Sequence, residues 1–361
     1  MFRKIHTLYA VIFIAAFLLV SQISFACSSF CLNQGTDNIV LAKSFAFMAG
    51  DGMAIVNKRN VSKTALISPP DTPAKWVSKY GSITFNQIGR EMPYGGINEA
   101  GLVVEEMWLN SAIYPATDAR DAVTELQWIQ YQLDNCATVD EVIATDKKIR
   151  IAQEHSKIHY MVCDKAGSVA TIDFINGKMV STKNGSLVAP VLTNSTYGES
   201  AQYLAQYNGF GGTKPLAISS SSLDRFTRLC YFLKYDNSKN TANPVTYAMD
   251  MLASVTQQGW QWSMVYDVKN LKVTFYTREF GRDRTICLAD FDFSCESPTL
   301  VMNINRQVAP NTKDEFIPYT AQLNKDLIVG VFKRTDFLQN VPDVLLEQLA
   351  NYPDSFSCSG N

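Results

Sequence analysis

From Leu8 to Val20 (LYAVIFIAAFLLV) the chain is an unbroken apolar run preceded by Arg3 and Lys4. After Cys27 the pattern changes to short apolar runs bounded by turn residues, the signal of strands. Cys27–Leu32 and Asn38–Lys43, separated by the turn cluster Asn33-Gln-Gly-Thr-Asp, predict a hairpin, and Met53–Lys58 extends the same sheet. Pro69, Pro70 and Pro73 mark a loop before the strand at Ile83. Gly95 to Gly101 reads as a tight turn into an apolar strand, Leu102–Leu109. Val123, Leu126, Ile129 and Leu133 share one helical face, and Val139–Ile149 predicts a second short helix. Ile158–Cys163, Val169–Phe174 and Lys178–Ser181 form a meander with turns at 164–167 and at Asn176-Gly177. Helices are expected near 197–207, 221–235 and 243–256. A hairpin follows across Asp267–Asn270, then a mixed tail with a helix near 342–351. Strands, then helices, then strands with no dividing linker predict an α+β chain with one domain over 27–361.

The first apolar run is too short for a membrane span, which takes about 20 residues. With the basic start and with Ser24 and Ala26 at −3 and −1, residues 1–26 read as a secretory signal peptide cleaved before Cys27; an uncleaved anchor is the alternative. The expected location is therefore periplasmic or secreted. Removing the segment takes away two basic residues and no acidic one, which moves the net charge from −2 to −4. The full chain has 32 basic and 34 acidic side chains, so it lacks the basic excess of a nucleic-acid binder. Its 47% hydrophobic and 18% charged composition excludes a disordered polyelectrolyte.

A cysteine behind a signal peptide is either a lipid-modified residue or an N-terminal nucleophile. Ser24 and the bulky Phe25 suit lipidation poorly. A freed Cys27 would carry its own base, because an α-amine titrates near 8 and can take the thiol proton. All eight cysteines (27, 31, 136, 163, 230, 287, 295, 358) follow the cleavage point. Spacing does not assign bridges, but Cys287 and Cys295, flanking an expected turn, are the preferred disulfide. No cysteine or histidine spacing suggests zinc, and no cofactor is implied. His155 and His159 are four apart, but His159 opens a strand pattern, which breaks a helical metal site and favours structural roles.

The ordered set Cys27, Gly-Ile-Asn98-Glu-Ala-Gly-Leu, Leu192-Thr-Asn194, Leu223-Asp-Arg225-Phe and Val265-Tyr-Asp-Val resembles the choloylglycine hydrolase and penicillin V acylase family of N-terminal-nucleophile hydrolases over roughly 27–300. The resemblance implies a four-layer αββα sandwich, often tetrameric, cleaving linear amides. Its partner would be a small acyl amide such as a conjugated bile acid, a penicillin V side chain or an acyl-homoserine lactone. Cys27 would be the nucleophile, Asn194 an oxyanion donor, and Arg225 the buried guanidinium of the site. Lys43 stands where the family has an arginine near the thiol, the alternative being an ordinary edge-strand lysine. Trp108 aligns with an oxyanion-side residue or is core, and Asn110 is a nearby alternative donor. One departure matters more. The family's aspartate, which holds the nucleophile's amine, is replaced by Ala46, and Asp51 is the nearest compensating carboxylate in sequence. That loss motivates a rival reading, a binding protein that kept the fold without the chemistry.

Overall fold

The computed structural model describes residues 26–33, 38–153, 156–240, 243–306 and 312–359. The apolar leader, the turn at 34–37 and His155 lie outside the described residues. Two large antiparallel sheets dominate. One has six strands, in the order Val191–Leu192, Ser28–Asn33, Ile39–Ala46, Trp260–Asp267, Lys272–Thr277 and Asp283–Cys287. The other has nine, in the order Lys178–Lys183, Val169–Ile175, Ile158–Cys163, Val103–Trp108, Pro93–Asn98, Ser82–Asn86, Met53–Asn57, Leu300–Asn303 and Ile317–Pro318.

Side-chain alternation sorts each strand between two neighbours. Along Ile158–Cys163, Met161 and Cys163 join the core between the sheets, whereas Ile158, Tyr160 and Val162 join the core beneath α1 (Glu125–Asn135) and α2 (Val139–Ala144). Trp128 of α1 stacks on Tyr160 with ring centroids 4.3 Å apart. On the other side, α4 (Ser222–Tyr235) packs on Ser28–Asn33, and α5 (Pro244–Ser254) packs on Ile39–Ala46 and Trp260–Asp267. α3 (Tyr197–Leu204) leans on α4. The order is helix, sheet, sheet, helix, the α+β sandwich that the resemblance implies.

Several local expectations shift. Thr124 caps α1 by accepting from Gln127 N, so Asp121–Thr124 is not helical; it pairs in parallel with Ile149–Gln153. Pro93–Asn98 is a strand rather than a turn, and the reversal is confined to Glu99–Leu102. The tail, expected to be mixed before a helix near 342–351, contains a further helix, α6 (Ala321–Lys333), capped by Thr320 and packed against α7 (Asp343–Asn351).

The disulfide joins Cys295 to Cys358, not to Cys287. Cys287 ends a strand opposite Lys272, and the chain beyond it does not turn back. It runs through a short helical turn, Leu288–Asp290, to Phe293, which is buried and whose carbonyl accepts from Arg59 N at 3.0 Å. Cys358 reaches Cys295 because Ser357–Cys358 pairs with Val61–Thr64, which brings the two Cα atoms within 5.7 Å.

Candidate active site

Cys27 sits at the entry to the first strand, where Ser28 pairs with Ser44 of the central strand. This register sets it beside Ala46, whose backbone amide hydrogen-bonds the thiol. Cys27 is 2% exposed, and Ala26, to which it is bonded, is likewise buried. It lines a cavity of about 440 Å³. Burial pushes the thiol up; Lys43 and Arg225 pull it down, and Glu106 adds to the rise. A thiol raised by burial rests as SH, so it needs a proton acceptor to react.

Lys43 is on a central strand, so the edge-strand reading does not hold. Its ammonium crosses to the facing sheet, where it lies 3.2 Å from Glu105 Oε2 and 3.3 Å from Glu106 Oε1 and donates to the Glu106 carbonyl. Burial opposes that charge, but Glu106 and Glu105 outweigh it and hold Lys43 above its ordinary range. Glu105 is pushed up to about 7 by burial, against the pull of Lys43 and the hydroxyl donated by Tyr266. Gly95 lies opposite Glu105, and the carboxylate fills the space that a Cβ there would occupy.

Arg225, in the first turns of α4, ties three groups together. Nη1 donates to the Cys27 carbonyl and to Ser28 Oγ, each at 2.5 Å, and Nη2 donates to Asn194 Oδ1 at 2.8 Å. Burial brings its guanidinium down to about 10. Asn194 donates from Nδ2 to the Trp108 carbonyl at 2.9 Å, and its own amide donates to Ser222 Oγ at 2.8 Å. His159, buried in its strand, bridges Asp173 at 2.7 Å and the carbonyl of Thr193 at 2.6 Å, which fixes the loop carrying Asn194.

Cys27, Arg225, Asn194, Lys43 and Trp108 are therefore one connected constellation. Trp108 is half-buried on the cavity wall, and its indole N–H donates to Asn110 Oδ1. Asn110 is exposed and outside the lining. Asp51 is outside it too, paired with Arg334. Among the described residues no cluster of His, Cys, Asp or Glu could hold a metal ion.

Three features were not foreseen. Glu106 lines the cavity with Cys27 and Ala46. Two adjacent acids inside the apolar run Leu102–Leu109 were the available signal, since a buried carboxylate requires a partner. Tyr94 also lines it; burial, then Glu106, Glu125 and Cys27, raise its phenol, which leaves a neutral hydroxyl. Finally, α6, α7 and their connection supply an apolar wall through Phe332, Phe337, Leu338, Val341, Leu346 and Leu349.

The family model for linear amide C–N hydrolases, choloylglycine hydrolase family, matches residues 27–282. The chain belongs to this family. The match begins at Cys27, so the choloylglycine hydrolase family region contains the constellation but stops short of α6 and α7. A penicillin V acylase from Pectobacterium atrosepticum is 30% identical over 182 residues, which is 45% of this chain. The chain spans about half (47%) of that curated relative. A penicillin V acylase structure from Agrobacterium tumefaciens has the same fold, with TM-score 0.70 at 24% identity over 81% of this chain and 98% of that one. A mutant conjugated bile acid hydrolase from Clostridium perfringens superposes with TM-score 0.65 at 16% identity, covering 79% of this chain and 98% of that one.

Proposed function

We propose that this protein is an exported cysteine amidohydrolase, that Cys27 becomes its nucleophile once residues 1–26 are removed, and that its substrates carry an apolar acyl group. The observation that carries this reading is a buried Cys27 that lines a largely apolar cavity and whose backbone carbonyl is held by Arg225, which also binds the Asn194 side chain. The freed α-amine takes the thiol proton, and sulfur attacks the amide carbonyl. The tetrahedral oxyanion is met by amide donors such as the Asn194 side chain. The C–N bond then breaks as the α-ammonium returns its proton to the departing amine, leaving a thioester on Cys27. Water, deprotonated by the same amine, attacks the thioester and releases the acid and the thiol.

The cavity accommodates the acyl part, against Phe45, Phe47, Tyr94 and the C-terminal wall. The names of the relatives suggest two acyl types to try, the penicillin V side chain and a conjugated bile acid; acyl-homoserine lactones add an extended aliphatic one. Mature protein and a Cys27→Ala variant are incubated with this panel while intact mass is followed. Turnover and an acyl adduct on wild type alone support the reading. Equal turnover by both would falsify it. Ala46 favours a second reading, a binder without chemistry; saturable binding with no turnover and no adduct would select it.

A further inference from the structure

We infer that the carboxylate of Glu106, on the strand facing the nucleophile, holds the α-amine of Cys27 and so takes the role for which residue 46 has no carboxylate. The inference rests on the Cys27 reading above. An amine freed here emerges in a buried site next to two cations, Lys43 and Arg225, and needs an acceptor for its N–H groups. Ala46, beside the thiol on the same sheet, offers only a methyl group. Asp51 is held away by Arg334.

Two carboxylates line the cavity, Glu106 and Glu125. Glu125 accepts from the Ser156 amide at 2.9 Å. Glu106 is the one tied into the Cys27 constellation, through Lys43. That lysine starts three residues before Ala46 and clasps both the Glu106 side chain and its backbone carbonyl, so the strand bearing Glu106 is pinned to the strand bearing Ala46. The charge of Glu106 also reaches the thiol, which it raises. The missing anion has thus moved from one sheet to the other, and Lys43 bridges the two positions. Glu106 is a positioning residue: it orients the amine and keeps its pKa up.

Both effects are measurable. Without the carboxylate the amine and the thiol lose an anion that favours their protonated forms, so both pKa values fall and the acid limb of kcat/KM moves to lower pH. The plateau drops as well, because a base displaced by about 1 Å costs on the order of 100-fold. The experiment compares mature wild type, Glu106→Gln, Ala46→Asp and the double variant, with circular dichroism and a thermal midpoint for each. Glu106→Gln should lower kcat by about 10- to 100-fold with a smaller change in KM and move the acid limb down. Ala46→Asp in that background should restore at least about tenfold. Should Glu106→Gln not fold, Glu106→Asp takes its place: the carboxylate withdrawn by one methylene should lower kcat and move the acid limb down. Ala46→Asp in that background should recover both, and a folded Glu106→Asp variant with wild-type kcat and pH profile overturns the inference. A folded Glu106→Gln variant with wild-type kcat and pH profile, or a folded double variant with no recovery, overturns this inference and leaves the Cys27 reading standing. Wild type without turnover, or turnover that survives Cys27→Ala, overturns the reading and the inference together.

Discussion

Replacing Cys358 with serine opens the disulfide to Cys295 and tests both its pairing and what it holds. The bridge spans a sequence separation of 63. In the chain-entropy account, closing a loop of that length removes about 4 kcal/mol of freedom from the unfolded state, against about 2.5 kcal/mol for a loop closed between residues 287 and 295. What is tethered is the last short strand, Ser357–Cys358, with α7 and the apolar cavity wall immediately before it in sequence. Urea unfolding of oxidised wild type, wild type in reductant, Cys358→Ser and Cys287→Ser is the assay, with a non-reducing peptide map. Cys358→Ser and reduced wild type should lose about 2–4 kcal/mol and bind apolar acyl substrates more weakly, while Cys287→Ser stays within about 0.5 kcal/mol of wild type. Unchanged midpoints for Cys358→Ser and reduced wild type, or a peptide map joining 287 to 295, would refute the reasoning.

Arg225→Lys keeps the charge but loses the planar fork that serves the Cys27 and Ser220 carbonyls, Ser28 Oγ and Asn194 Oδ1; buried acceptors left unpaired should cost about 2–5 kcal/mol by calorimetry and lower kcat about 100-fold with a smaller change in KM. Gly95→Ala sets a Cβ against the Glu105 carboxylate and should destabilise by about 1–3 kcal/mol in urea titration, with Glu105→Ala relieving part of the loss in the double variant. Glu105 is raised from 4.5 to about 7, so the folded chain binds a proton that the unfolded chain releases between those values. Its contribution to stability is full below about 4.5 and fades as pH rises through about 7, by up to roughly 3 kcal/mol. Unfolding midpoints followed across that window should fall with pH in wild type and flatten in Glu105→Gln.

Much of the sheet framework was legible because it is written locally. Short apolar runs such as Cys27–Leu32 and Ile158–Cys163, bounded by turn residues, carry their own strand signal, and the helix of Ser222–Tyr235 shows one apolar face. Val123 reads as helical from sequence because its apolar spacing fits the helix after it, while its strand pairing depends on Ile149–Gln153, more than twenty residues on. α6 carried a usable signal, Thr320 followed by Leu323, Leu327, Ile328 and Val331. The site was legible where a motif names one residue, as with Cys27 and Arg225, and illegible where it depends on register between the sheets. Glu106 meets Lys43 only because the two sheets face each other in one alignment. The buried trio of Lys63, Glu91 and Asp134 is similar: the lysine contacts the two acids at 2.7 and 2.8 Å, and nothing near any of the three residues in sequence indicates it.

Cys27 and Leu349 line the same cavity from opposite ends of the chain. During synthesis the Cys27 sulfur therefore emerges long before the C-terminal wall of its cavity. Until α7 has been made and has docked, the thiol is a bare cysteine on an unfinished chain, without the wall that would select an acyl group. A product truncated before α7 lacks that wall, so the cavity beside Cys27 is complete only when translation has passed the end of α7.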